Sequence, residues 1–166
     1  MLTKLKENYK DLLESKEFEH KGYLCGAFLI CEIQELEKTP WQIDFYNTNN
    51  DTITTYLIKD KIEVVNNSEV FKKDDMRVEE LKLDEIKVDF NTIKKKKQYI
   101  LESHDEQAEK ISIILQKQNI PIWNIIYITK RFNLLNIKIN ASSGELIEEK
   151  IIPLLSFEKG GWTCLL

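Results

Sequence analysis

The stretch that decides the fold is Pro121-Ile122-Trp123-Asn124-Ile125-Ile126-Tyr127-Ile128-Thr129. Side chains on a strand point alternately to opposite faces, so Trp123, Ile125 and Tyr127 share one face while Ile122, Ile126 and Ile128 take the other. A strand that is apolar on both sides needs cover on both, and one helix supplies only one. Moving toward the C-terminus, Lys130-Arg131 marks a turn and Phe132–Asn140 a second strand. Ser142-Ser143-Gly144 marks another turn, where Gly takes positive φ, and Glu145–Ile151 is a third strand. Moving toward the N-terminus, helical character is expected from about Asp89 to Lys117. Within it Ser103-His104-Asp105-Glu106 has the form of a capping box that starts or restarts a helix, with Ala108, Ile111, Ile114 and Leu115 as its buried stripe. Pro121 ends that helix, because the residue before a proline avoids helical geometry.

The first half follows a similar plan. Leu2, Leu5, Tyr9, Leu12 and Leu13 recur at helical spacing, and Tyr23–Ile33 is an apolar run suited to a doubly buried strand. Trp41, Ile43 and Phe45 then alternate with Gln42 and Asp44. Asn47–Asp51 is a turn by composition, and Thr52–Ile58 and Lys61–Val65 complete a set of strands. Pro40–Thr48 and Pro121–Thr129 share a proline, an early Trp, an aromatic and a closing Thr, which suggests an internal repeat; chance similarity between two hairpins is the rival explanation. The expected fold class is α+β, with two related helix-plus-antiparallel-sheet units packed together. They span 1–70 and 78–155, with a polar connector over 66–76 and an apolar C-terminal tail over 156–166.

The segment Glu106–Glu149, closing on Asn140-Ala141-Ser142-Ser143-Gly144-Glu145-Leu146, resembles a PepSY-like domain, whose closing motif has the form Asp-Ala-x-Thr-Gly-Glu-Val. Asn140 and Ser143 stand where that motif carries Asp and Thr. The resemblance implies a cystatin-like unit, a helix packed on an antiparallel sheet, and a motif that builds a tight turn. PepSY domains occur in propeptides and in proteins thought to restrain peptidases. Without an attached protease, what the resemblance transfers to this chain is the fold.

Several function classes are disfavoured by composition. The chain carries 42% hydrophobic and 31% charged residues, enough for a core and a solvated surface. No apolar run approaches the ~20 residues of a membrane span, and Met1–Glu7 lacks a signal-peptide hydrophobic core, so a cytoplasmic location is expected. Cys25 and Cys31 are too far apart along one strand for a disulfide, roughly 20 Å at ~3.3 Å per residue, and with Cys164 they read as free thiols. The net charge of −4 disfavours general nucleic-acid binding. It is uneven: residues 1–83 hold 12 Lys/Arg against 17 Asp/Glu, and 84–166 hold 12 against 11. Lys94–Lys97 is the one basic run, and four consecutive helical residues point in four directions rather than forming a patch.

No catalytic motif, phosphate loop or zinc spacing is present, so no enzyme, cofactor or metal is expected. His104, beside Asp105 and Glu106, reads as a helix-start residue in preference to a buried base. A non-enzymatic protein-interaction or regulatory module is the expected function, acting on an unknown protein partner or through self-association. The alternative is a small-molecule or lipid carrier with a cavity between the two units. Candidate interaction residues are Trp123, Ile125 and Tyr127 on the hairpin, and Trp162, Leu165 and Leu166 in the tail, which either docks to a partner or folds back on its own core.

Overall fold

The computed structural model describes residues 1–69, 77–90, 93, 101, 103–158 and 161–164. Helix α1 (Leu2–Glu14) leads into β1 (Tyr23–Glu32), a 3-10 turn (Ile33–Glu35), β2 (Gln42–Asn47), β3 (Thr52–Ile58) and β4 (Ile62–Glu69). The second half supplies β5 (Ala108–Gln118), β6 (Ile120–Thr129), β7 (Asn133–Asn140) and β8 (Leu146–Pro153). These eight strands form one sheet in the order β4-β3-β2-β1-β5-β6-β7-β8, antiparallel at every step. A separate pair, β9 (Leu155–Glu158) and β10 (Gly161–Cys164), ends the described chain.

The expectation of two packed helix-plus-sheet units is therefore corrected, and the cystatin-like description and the internal repeat fall with it. One continuous sheet with an N-terminal helix takes their place. The join between the halves is backbone pairing of β1 with β5, from Gly26 opposite Gln116 to Glu32 opposite Lys110. Hydrogen bonds between strands satisfy edge amides that two separate sheets would leave open.

The core lies on one face of this sheet. A single row of opposed residues crosses it: Val64, Tyr56, Ile43, Ala27, Leu115, Trp123 and Ile139. Leu2, Leu5 and Leu12 of α1 are buried against it, as are Leu81, Ile86, Phe90, Ile93 and Leu101. Trp41 and Trp123 meet with ring centroids 6.4 Å apart, and the Trp123 indole donates to the Val88 carbonyl at 2.9 Å. The start of α1 is held by the Asp89 carboxylate, which accepts from the Leu2 amide at 2.9 Å, a favourable place for a negative charge.

The expected helix over 89–117 is corrected in its second part. Phe90, Ile93, Leu101 and Ser103 are helical, but 108–118 is β5, with Ile111, Ile113 and Leu115 buried in strand alternation. The residues read as a capping box instead end the helix. Asp105 adopts φ 52°, and the Glu106 amide reaches back to the Leu101 carbonyl at 2.9 Å, the bond of a Schellman C-terminus. Pro121 pairs across the hairpin with Lys117 rather than stopping a helix. The Asn140–Leu146 turn is tight: Asn140 Oδ1 accepts from the Ser142 amide at 2.8 Å and the Ser143 amide at 3.1 Å, and Gly144 sits at φ 79°. Most of the 66–76 connector and all of Lys94–Lys97 lie outside the described residues.

Candidate functional site

Two surface hollows and the sheet face opposite the core are the places where the described residues can hold another molecule. The first hollow, about 360 Å³, opens where α1, the start of β1 and residues 80–83 converge. The amphipathic spacing of α1 turns Tyr9 toward it, stacked on Phe45 of β2 at 6.1 Å and 9°. Phe18 packs on Phe45 at 4.8 Å, and the His20 ring meets Phe18 edge-on at 4.5 Å. Gly22 makes the bend into β1 at φ +76°; a Cβ there would fall 2.0 Å from the Tyr46 carbonyl oxygen, so only glycine fits.

The opposite rim is an extended segment pinned at three points. The Tyr23 hydroxyl donates to the Val78 carbonyl at 2.7 Å, and the Leu81 amide donates to the Leu24 carbonyl at 2.8 Å. The Glu79 carboxylate accepts from the Asn119 amide at 2.8 Å. Glu80 lies between these anchors on the edge of the hollow, its side chain exposed. Burial, and then the Glu80 charge, push the Tyr9 hydroxyl above its ordinary range, so its ring stays a neutral phenol.

The second hollow, about 380 Å³, is lined by Asp105, Glu106, Gln107, Lys130 and Arg131. Its polar side chains are tied to one another: Arg131 reaches Asp105 at 2.6 Å, and the Lys130 ammonium donates to the Gln107 side-chain oxygen at 3.2 Å. Glu106 is 8% exposed and accepts from Asn133 Nδ2 at 2.5 Å. His104 faces neither neighbouring carboxylate; its Nε2 pairs with Glu149 of β8 at 2.9 Å.

The sheet face opposite the core, called here the outer face, is partly apolar. One of its rows runs Glu63, Leu57, Gln42, Phe28, Ile114, Asn124, Lys138, Glu148. Adjacent rows add Ile30, Ser112, Ile126, Asn136 and Lys150, then Glu32, Lys110, Ile128, Leu134 and Ile152. Ile30 is 49% and Val65 52% exposed. The Asn124 and Asn136 amide oxygens are buried on this face without a hydrogen-bond partner. Asp44 lies here too, its carboxyl raised by burial against the opposing bond from Thr55. Beside it Cys25 is pushed up to about 12 by burial and by Asp44, which makes it a poor nucleophile.

Of the residues singled out from sequence, Trp123, Ile125 and Tyr127 lie in the core with 0% exposure, and their strand's other face, Ile126 and Ile128, is the one turned outward. Trp162 lies in β10, opposite Phe157 of β9; Leu165 and Leu166 lie outside the described residues. Sequence reasoning missed the aromatic hollow entirely. Its rings come from 9, 18, 20, 23 and 45, and only the β1–β2 pairing and the 78–81 strap bring them together. No group of three His, Cys, Asp or Glu among the described residues is placed to hold a metal.

The class these features define is a broad antiparallel sheet covered on one face. No protein-family model matches the chain, and no curated protein matches it in sequence. Its fold is similar to the crystal structure of a putative lipoprotein from Clostridium difficile, at 13% identity and a TM-score of 0.56, covering 90% of this chain and 91% of that one. This likeness shows the fold alone. The cytoplasmic location expected from the sequence gains no support from it.

Proposed function

We propose that the chain is a non-enzymatic interaction module that associates with a second copy of itself through the outer face of the sheet. The observation that carries this is the two-ended charge on an apolar face. On β1–β4 the outer face presents Glu32 and Glu63, with Asp44 buried between the strands; on β5–β8 it presents Lys110, Lys138 and Lys150 against Glu148 alone. Phe28, Ile30, Ile114, Ile126 and Ile128 lie between. A two-fold axis along the β1–β5 seam lays the acidic half of one copy over the basic half of the other, with apolar rows in contact, as aligned sheets pack. Within one chain Lys138 pairs with Glu148 at 2.5 Å and Glu63 with Lys59 at 2.9 Å, so the complementarity steers register while apolar burial supplies the affinity.

The size fits. Eight strands ~4.8 Å apart and about six residues deep at ~3.3 Å each offer roughly 750 Å², near the ~800 Å² per partner of an ordinary specific interface. Kinship with PepSY domains belongs to the same proposal and rests on the Asn140–Leu146 turn. Sedimentation velocity tests the association. The expected result is a dimer that becomes a monomer in Ile126→Asp, a variant checked for folding by its far-ultraviolet spectrum. A monomer at all concentrations, or a dimer that Ile126→Asp leaves intact, overturns it.

A further inference from the structure

We propose that the hollow walled by Tyr9, Phe18, His20, Tyr23 and Phe45 beneath Glu80 binds a methylated ammonium group, the head of a choline-type ligand. This goes beyond self-association: the hollow lies at the end of α1, with Phe18 and Phe45 on the core side of the sheet.

The chemistry of the wall selects the ligand. Five of its lining residues are aromatic, and ring faces carry negative electrostatic potential that attracts cations within about 6 Å of the ring centroid. A quaternary methylated ammonium has no N–H to donate and is weakly hydrated, so it loses little on leaving water and gains from the aromatic surface left open on the wall. An unmethylated ammonium would require acceptors that the rings do not offer. Glu80 supplies the counter-charge at the rim. Lys82 also lines the hollow and opposes the cation, so removing it should strengthen binding. The volume, about 360 Å³, is that of a small-ligand site.

The geometry is prepared before any ligand arrives. Tyr9 and Phe45 are near-parallel, Phe18 is wedged between Phe45 and Tyr56, 5.6 Å from the latter, and the three anchors of segment 78–81 hold the backbone on either side of Glu80. An ordered cage of this kind gives affinity by sparing the ligand the cost of assembling it.

The test is a nuclear magnetic resonance titration of the full chain with choline and tetramethylammonium, against the neutral isostere 3,3-dimethylbutan-1-ol. Expected are saturable shifts at residues 9, 18, 20, 23 and 45 with both cations, and binding at least about tenfold weaker for the isostere. Glu80→Gln, an exposed substitution that leaves the fold alone, should weaken choline several-fold, and Lys82→Ala should tighten it. Tyr9→Leu, checked for folding by its far-ultraviolet spectrum, should weaken it about tenfold. Equal binding of the isostere would make the hollow merely apolar and overturn the proposal. So would shifts that never saturate, or an unchanged affinity in Glu80→Gln.

Discussion

Asp44 sits on the outer face with Oδ1 accepting the Thr55 hydroxyl at 2.6 Å and its backbone carbonyl accepting the Cys25 thiol at 3.3 Å. Burial raises its carboxyl, partly offset by Thr55. The unfolded chain ionises at the ordinary value, so the folded form holds its proton to higher pH. Stability contributed by this group is therefore full below the ordinary carboxylate range and is lost as pH rises through the raised folded value. Asp44→Asn keeps the acceptor and cannot ionise. It should melt above the parent at pH 7, with the advantage shrinking to nothing near pH 3. Melting curves at both pH values, at low protein concentration, measure it; an equal difference at both would mean the charge is not the cause. Asp44 was legible as an outward residue from its place between Ile43 and Phe45. Its burial was not, because that depends on β1 and β3 closing around it.

At the scale of elements, strands with clean alternation were legible. Thr52–Ile58 matches β3 residue for residue, and the three strands of the second half fall within two residues of their expected bounds. The segment 108–118 was not. Ile111, Ile114 and Leu115 satisfy helical spacing, yet Ile111, Ile113 and Leu115 satisfy strand spacing equally. β-branched side chains favour the pleated state, and pairing with β1 on one side and β6 on the other decides it. The four residues read as a capping box show the same ambiguity, since polar residues that start helices also stand where they end. Left-handed Asp105 separates the two. Asp105→Gly should raise stability by roughly 0.5–1 kcal/mol, because glycine adopts this backbone without strain. The lost pair with Arg131 is exposed on both sides and worth little. Urea denaturation tests this, and a destabilised variant would restore the helix-start reading. The aromatic hollow had no signal of its own in the sequence, because its rings are spread over 37 positions and no spacing links them.

The whole molecule is one sheet, and its unfolding should say so. Two packed units would be free to melt separately, whereas a shared sheet and a core in which Trp41 touches Trp123 make a single cooperative transition the expectation. In a Trp162→Phe background, Trp41→Phe leaves Trp123 to report on the second half, and Trp123→Phe leaves Trp41 to report on the first. In each variant the fluorescence transition in denaturant should coincide with the far-ultraviolet one; separated midpoints would mean two units after all. Seven of the eight strands of the main sheet were legible from alternation and turns; β5 and the union of the two halves were not. Both Tyr23–Ile33 and 108–118 are apolar enough to be central strands, but local pattern does not say which central strand lies beside which.

The union also sets an order of events when the chain first folds. Each of the other six pairings within the main sheet is a hairpin between strands that follow one another. β1 with β5 alone brings together residues such as Gly26 and Gln116, some 90 positions apart. Closing so long a loop is the slow step. As the ribosome releases the chain, the first four strands can form a meander long before β5 is made. During that interval β1, the most apolar strand of that meander, waits as an unpaired edge. A nascent chain caught there is most exposed to pairing with the wrong neighbour, and slowing translation between β4 and β5 would lengthen that exposure.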